Sequence, residues 1–265
     1  MRRTMLLSAA LFGSLLYGQE TVRIPFSDAA RQRLVKLNMI SGSIHVRGYE
    51  GKDVVIDTKG GSRRERERDR DRQVDGLRRI DMNPGYTAEE QDNVVTIRTS
   101  ATNTPGSIDL QVPAKTSLQL STVNGGEITV EGVEGELDVK NTNGSVKLTR
   151  VGGAVVAHAL NGNVVAVLDR VTADRPMSFS SLNGNIDVTL PADIKANVKM
   201  RSDNGDMYSD FDIRLTASGE VKTEKTPGGK YRVQVDKSIN GTINGGGPEM
   251  RLTTLNGRIM LRKAK

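Results

Sequence analysis

The side chains that could do chemistry in this chain are few and poorly matched to one another. The richest group is Asp203-Asn204-Gly205-Asp206, followed by Asp210 and Asp212. Carboxylates around a glycine turn are the chemistry of calcium binding, which makes Asp203, Asp206 and Asp210 the metal candidates. Their spacing matches neither the twelve-residue calcium loop nor the nonapeptide calcium repeat. Asp203 and Asp206 also flank a turn, where polar residues belong in any case. The two histidines, His45 and His158, each stand between apolar neighbours (Ile44 and Val46; Ala157 and Ala159) and are expected to face outward from strands. With no cysteine, and with two histidines far apart, the usual ligand set of a zinc site is missing. No Gly-x-Ser-x-Gly elbow, phosphate loop or dinucleotide fingerprint occurs. These patterns point to no catalytic residue and no cofactor.

The elements that would carry such residues announce themselves through a repeat. Asn-Gly recurs at Asn124-Gly125, Asn143-Gly144, Asn161-Gly162, Asn183-Gly184, Asn204-Gly205, Asn240-Gly241 and Asn256-Gly257. Successive asparagines stand 19, 18, 22, 21, 36 and 16 residues apart. Apolar residues keep register with them. Leu118 and Leu120, Leu137 and Val139, Val155 and Ala157, Met177 and Phe179, Val198 and Met200, and Met250 and Leu252 lie six and four positions before. Val146 and Leu148, Val164 and Ala166, Ile186 and Val188, and Ile259 and Leu261 lie three and five positions after. Even spacing on both sides is the strand period. Ser41-Gly42 continues the register upstream, with Val35, Leu37, Ile44 and Val46 at the same offsets. Two units depart from it. Gly126 pushes Ile128 and Val130 one place later, and Val233 and Val235 stand one place out of step before Asn240, so bulges or irregular loops are expected at both.

Asn and Gly both tolerate positive φ, which tight turns between strands require, so each pair reads as a structural turn. Gly132, Gly152 and Gly153 mark a second kind of corner. The strands are apolar on one face, no helical stripe follows the first 18 residues, and the apolar faces must therefore cover one another. Two all-β architectures satisfy this: a β-solenoid of two-strand coils of about 18–22 residues, or an antiparallel meander folded as a β-sandwich. Near-constant unit length favours the solenoid, because stacked coils need equal circumference.

The segments Val123–Val130, Thr142–Leu148, Leu160–Val167, Leu182–Leu190 and Leu255–Leu261 resemble the repeats of the DUF4097 family, bacterial adhesin-like envelope proteins. The resemblance covers roughly Leu34 to Leu261. It implies a right-handed β-helix-like stack and a cell-surface or secreted role, and it brings no catalytic residues with it.

The first 18 residues place Arg2 and Arg3 before an apolar run from Met5 to Leu16, the order of a secretory signal peptide, with cleavage expected near Gly18. The apolar run is too short to span a bilayer stably, and no later stretch is a transmembrane candidate. Loss of Arg2 and Arg3 with the leader lowers the formal charge from +6 to +4. That balance, with an export signal, argues against nucleic acid as a partner. Without cysteine no disulfide supports the exported fold, so strand pairing must.

Ser62 to Arg72 alternates arginine with glutamate and aspartate. A helix would set like charges four apart, and a strand would have no apolar side to bury. Residues 60–93 therefore read as a mobile insertion, giving a layout of signal peptide (1–18), lead-in (19–33) and repeat domain (34–265) interrupted by that insertion. The closing Arg262-Lys263-Ala264-Lys265 is expected to protect the edge of a last coil and to favour a monomer.

The function expected is that of an exported, non-enzymatic, adhesin-like scaffold in the periplasm, on the outer surface or outside the cell. It would bind an envelope or extracellular protein or glycan through an extended polar strand face. The alternatives are a polysaccharide-acting β-helix enzyme, against which the scarcity of aromatic residues speaks (5 Tyr, 4 Phe, no Trp), and a self-assembling envelope or sensor module.

Overall fold

Alternating apolar residues on either side of each Asn-Gly become paired strands, and equivalent strands stack in parallel. The structure, a computed structural model, describes residues 21–28, 30–59, 85–100, 105–218, 221–225, 231–235 and 238–265. The expected leader at 1–18 and the charged run from Ser62 to Arg72 lie outside them. In chain order the strands are β1 (Val22–Ile24), β2 (Leu34–Ser41), β3 (Ser43–Tyr49), β4 (Val54–Lys59), β5 (Tyr86–Gln91), β6 (Val94–Thr99), β7 (Ser107–Pro113), β8 (Ser117–Asn124), β9 (Ile128–Glu131), β10 (Glu134–Asn143) and β11 (Val146–Ala159). They continue with β12 (Val164–Val171), β13 (Met177–Asn183), β14 (Ile186–Leu190), β15 (Ala196–Asn204), β16 (Met207–Ser209), β17 (Arg214–Ser218), β18 (Val221–Lys225), β19 (Tyr231–Val235), β20 (Ile239–Ile243), β21 (Glu249–Asn256) and β22 (Ile259–Lys263).

Two faces enclose one core. On the first, β6, β2, β8, β10, the second half of β11, β13, β21 and β15 run in parallel in that spatial order. On the second, the parallel order is β7, β3, β9, the first half of β11, β12, β14, β22 and β16. Leu118, Leu137 and Val155 are in register across three coils, as are Met177, Met250 and Val198. A meander would have paired these strands in antiparallel fashion, so the solenoid alternative is the one adopted. The inward residues are almost wholly buried, from Val35 and Leu37 to Leu252 and Leu261, with Phe179 the largest.

Spatial order departs from chain order at both ends. The coil β2–β3 lies between the coils β6–β7 and β8–β9. The last coil, β21–β22, lies between β13–β14 and β15–β16. Arg262 and Lys263 therefore do not guard an end, contrary to expectation. Every coil shares one register, so a coil can stack wherever its neighbours leave a slot. The true ends carry antiparallel strands: β5 against β6 at one, β20 and β17 beyond β15 at the other, with β4 and β1 flanking β7. The exposed edges of the second face, β1 and β16, are three residues each, short enough to offer little to a neighbouring chain.

Two stretches correct the reading of the repeat. Asn240-Gly241 is no corner: both residues lie inside β20, paired with Lys199 and Val198 of β15. Val233 and Val235 belong to a separate β18–β19 hairpin. This excursion explains the anomalous 36- and 16-residue steps, since Asn204 stacks directly on Asn256. Of the mobile insertion expected at 60–93, residues 60–84 lie outside the described ones, and the last part is ordered strand and turn. Residues 86–91 form β5, turned back onto β6 through Asp92 and Asn93, both left-handed (φ 54° and 65°). The extra glycine after Asn124 behaves as expected: Gly125 and Gly126 both take positive φ, and Gly126 closes on Gly42.

The lead-in is clamped to the β5–β6 turn. Glu90 accepts hydrogen bonds from the Ser27 hydroxyl and amide and from the Asn93 amide, and buried Asn93 accepts from the Asp28 amide. The Ser27 hydroxyl, more than the backbone donors, holds the Glu90 carboxyl below its usual range. A depressed carboxyl contributes stability above the unfolded value that is lost as pH falls through the folded one. The protection of residues 21–33 against hydrogen exchange, taken relative to the intrinsic rate at each pH, should fall on acidification through that window in the wild type. In Glu90→Gln the same amides should show low protection at every pH; an unchanged acid dependence of protection would show that another group controls the clamp.

Candidate functional surface

The corner formed by the Asn-Gly pairs is built from three stacked ladders. The first is of glycine backbone. A Cβ added to Gly144 would lie 2.0 Å from the Gly126 carbonyl oxygen; for Gly162 on Gly144 the distance is 2.2 Å, and for Gly184 on Gly162, Gly257 on Gly184 and Gly205 on Gly257 it is 2.1 Å. None of these five glycines has positive φ. Their role is close approach of one coil to the next, not the left-handed turn expected from the sequence. Asn244-Gly245, outside the repeat register, is the pair that does adopt it (φ 48° and 88°).

The second ladder is buried and polar. Two positions before Asn124, Asn143, Asn183, Asn204 and Asn256 stand Thr122, Asn141, Ser181, Ser202 and Thr254, all 6% exposed or less, while buried Ala159 takes that place before Asn161. Each of the five polar residues donates to a glycine carbonyl of the adjoining coil: Thr122 to Gly42 (3.3 Å), Asn141 to Gly126 (3.0 Å), Ser181 to Gly162 (2.9 Å), Thr254 to Gly184 (2.9 Å) and Ser202 to Gly257 (2.8 Å). These residues close the core where the chain turns and satisfy carbonyls that the bend removes from the sheet. The sequence carried their signal: a small polar residue at an inward offset otherwise filled by apolar ones.

The third ladder is the asparagine amides themselves. Asn161 donates to Asn143 Oδ1 (2.9 Å), Asn183 to Asn161 (2.8 Å), Asn256 to Asn183 (2.7 Å) and Asn204 to Asn256 (2.9 Å), while Asn143 donates to the Val123 carbonyl. The corner asparagines are thus linkers between coils as well as turn formers.

Beside this ladder the outer surface of the first face is ordered in rows. Ile40, Val123, Thr142, Leu160, Leu182 and Leu255 occupy equivalent positions on successive coils; Ile40, Val123, Leu182 and Leu255 are 38–47% exposed. The next row inward is polar: Asn38, Ser121, Lys140, His158, Ser180, Thr253 and Arg201. Ser121 donates to Asn38 Oδ1 (2.6 Å), and His158 Nδ1 lies 2.8 Å from Ser180 Oγ.

The second face carries an open groove of about 740 Å³, lined in part by His45, Asp57, Asp109, Thr129, Glu131 and Lys147. Asp57 faces Asp109 across antiparallel strands, and Asp109 is in register with His45. His45 Nδ1 lies 2.7 Å from Thr129 Oγ1, and Arg47 pairs with Glu131 at 3.6 Å. Both histidines point outward as expected but are half-buried between neighbours rather than free. A hydroxyl beside an imidazole is one part of a nucleophile–base pair. The backbone N–H groups of β3 and β9 along this row are engaged in the parallel ladders, which leaves the side chains of Arg47 and Lys147 as the cationic donors of the groove.

The calcium candidates are held apart by other partners. Asp203 Oδ1 accepts from Arg201 (2.8 Å), Asp206 Oδ2 from the Tyr208 hydroxyl (3.3 Å), and Asp210 Oδ1 from the Lys263 amide (2.6 Å). Among the described residues no three His, Asp or Glu side chains converge as a metal-ligand set. No helix among them is long and apolar enough to cross a membrane.

Parallel two-strand coils with a glycine-and-asparagine corner define a β-solenoid. The chain belongs to the family described as Toastrack DUF4097, whose profile matches residues 79–245, more than half of it. Two solved structures are similar over most of their length. One is described as a "putative cell adhesion protein" from Clostridium sporogenes (TM-score 0.44, 13% identity, 92% of this chain and 99% of that one). The other is described as a "putative adhesin" from Bacteroides fragilis (TM-score 0.29, 10% identity, 93% and 98%). No curated protein matches the sequence.

Two substitutions separate the roles of glycine and of the buried rung. Gly184→Ala should destabilise by about 1–3 kcal/mol through backbone overpacking. Gly125→Ala, with open space around the new methyl but φ +60°, should cost about 1–2 kcal/mol from the left-handed conformation alone. A larger loss for Gly184→Ala than for Gly125→Ala is the expected pattern in thermal melts, because the atoms met at Gly162 and Asn163 are backbone that no side-chain change can withdraw. Thr254→Val keeps the shape and strands the Gly184 carbonyl, so a loss of about 1–3 kcal/mol is expected. A neutral result would show that water or a shifted backbone satisfies that carbonyl.

Proposed function

We propose that this protein is exported after removal of residues 1–18 and acts as a non-enzymatic, adhesin-like envelope protein. It engages an envelope or extracellular protein or glycan through the outer surface of its first face. The observation that carries this reading is the outward row beside the asparagine ladder and a polar row, in which two pairs of exposed aliphatic residues, Ile40 with Val123 and Leu182 with Leu255, flank the half-buried Thr142 and Leu160. Each position is a shallow contact. Repetition at the strand spacing of roughly 4.8 Å makes them additive for an extended partner. The mixture of apolar, amide and hydroxyl groups resembles the composition of non-obligate interfaces more than that of a small-molecule pocket.

The export signal supports delivery to the envelope, and the cysteine-free, strand-paired corner suits a compartment where no cytoplasmic chaperone attends it. An aliphatic row on an outward face is also a feature that a protein with no partner for it would be expected to cover.

Val123→Lys together with Leu182→Lys should abolish retention of the purified protein on envelope fractions or on a glycan array. Lys147→Glu, on the opposite face, should leave it intact. Both variants should keep the wild-type circular dichroism. Equal retention by the double variant would overturn the assignment of this face. Measurable turnover of acidic polysaccharides would overturn the non-enzymatic part, and a secreted product still beginning at Met1 would overturn the processing.

A further inference from the structure

Eight Asn-Gly pairs stand in this chain, and the fold separates them by what holds the asparagine amide. Asn143, Asn161, Asn183, Asn256 and Asn204 donate along the corner ladder. Asn244 donates to the Ala192 and Ile194 carbonyls, and Asn240 sits within β20 and contacts Ser238 Oγ at 3.4 Å. Asn124 alone makes no side-chain hydrogen bond among the described residues. It is exposed, the ladder stops one coil short of it because Asn143 donates to the Val123 carbonyl instead, and the space about Gly125 is open.

We propose that Asn124 is a site of spontaneous covalent modification, converting to aspartate and isoaspartate through a cyclic imide, while the other seven asparagines are held unreactive by their partners. Hydroxide removes the proton from the Gly125 backbone nitrogen. That nitrogen attacks Asn124 Cγ and forms the new C–N bond. The Cγ–Nδ2 bond then breaks, and the amide leaves as ammonia after taking a proton from water. Water opens the resulting five-membered imide at either carbonyl, leaving an aspartyl or an isoaspartyl residue at this position. No oxidant, reductant or enzyme enters the balance.

Two features of the corner decide the rates. Attack requires the side chain to rotate until Cγ meets the following nitrogen, and a glycine there offers no Cβ to obstruct it. An amide that donates to the next coil cannot rotate without breaking that bond, and five of the eight are tied in one continuous run. The product places a carboxylate beside exposed Val123, at the head of the ladder, and leaves the bonds from Asn143 onward in place.

The full-length mature protein, incubated in mildly alkaline buffer at physiological temperature and mapped by proteolysis and mass spectrometry, supplies the test. Asn124 should convert at least about tenfold faster than Asn143, Asn183 or Asn256, a factor equivalent to about 1.4 kcal/mol in barrier. In concentrated urea the rates should converge, because the ladder is gone. Asn256→Ala, which removes the acceptor of Asn204 at the end of the ladder, should raise the rate at Asn204 toward that of Asn124 while circular dichroism stays native. Equal native rates at all sites would overturn the proposal. So would an Asn124 advantage that persists undiminished in urea, since the neighbouring Gly125-Gly126 sequence alone would then explain it.

Discussion

The fold depends on how closely one coil can approach the next at the Asn-Gly corner. Sheet hydrogen bonds set the coils roughly 4.8 Å apart along the strands. At the corner the chain turns and the sheet no longer dictates the spacing, so a side chain there would force the coils open. Glycine at 144, 162, 184, 257 and 205 removes the obstacle, and the place a Cβ would take is in each case filled by a glycine carbonyl of the neighbouring coil. Once the backbones touch, the carbonyls that turn inward need donors, and Thr122, Asn141, Ser181, Ser202 and Thr254 provide them from inside the core. The outward amides then align at the same spacing and bond to one another. The close approach comes first in this chain of causes, and the two polar ladders are its consequences.

A shared register has a second consequence, in topology. Because the coils keep matching inward registers, a segment distant in sequence can be taken up inside the stack. Two are: residues 34–49 and 249–263 lie between coils that a simple winding order would have made neighbours. This leaves neither segment as a bare edge and assigns the end positions to antiparallel strands. It also raises the sequence separation of the contacts that complete the sheet. Asn183 and Asn256 are 73 residues apart yet share a hydrogen bond. Loop closure of that length opposes early formation, so the last coil is expected to enter after the slot between β14 and β16 exists.

Much of this was legible in the residues and some was not, for identifiable reasons. The strand pairs, their inward residues and the equal coil length followed from apolar offsets on either side of each asparagine, because burial enforces period two. The extra residue at Gly126 was legible for the same reason. The conformation of the corner was not. Asn-Gly is the signature of a left-handed turn, and close backbone approach selects glycine just as strongly, so composition alone cannot separate the two. Asn240-Gly241 shows the cost of that ambiguity: glycine is needed inside β20 because Ile213 Cγ2 and the Arg214 carbonyl press on it. β5 was hidden because only Tyr86 and Ala88 mark its inner side amid charged neighbours, although Asp92-Asn93 between two short runs is a hairpin signal. Spatial order was illegible in principle, since interchangeable registers carry no address. Of the surface, the offset of the aliphatic row was readable as a position, but its exposure was not, because Leu160 and Leu182 look in sequence like any strand leucine.

The same constraint shapes what the molecule can do. At the corner, backbone contact leaves no room for a side chain between one coil and the next. The His45–Thr129 pair lies in the groove of the second face, and the His158–Ser180 pair in the polar row of the first. What such a stack offers is repetition: a row of aliphatic side chains, a row of amides and a row of hydroxyls and cations, each at fixed spacing. An extended partner that matches the spacing gains from every coil it crosses, whereas a compact one meets only a weak contact. Recognition by length, set by how many coils are stacked and kept rigid by the glycine corner, is the property this architecture supports best.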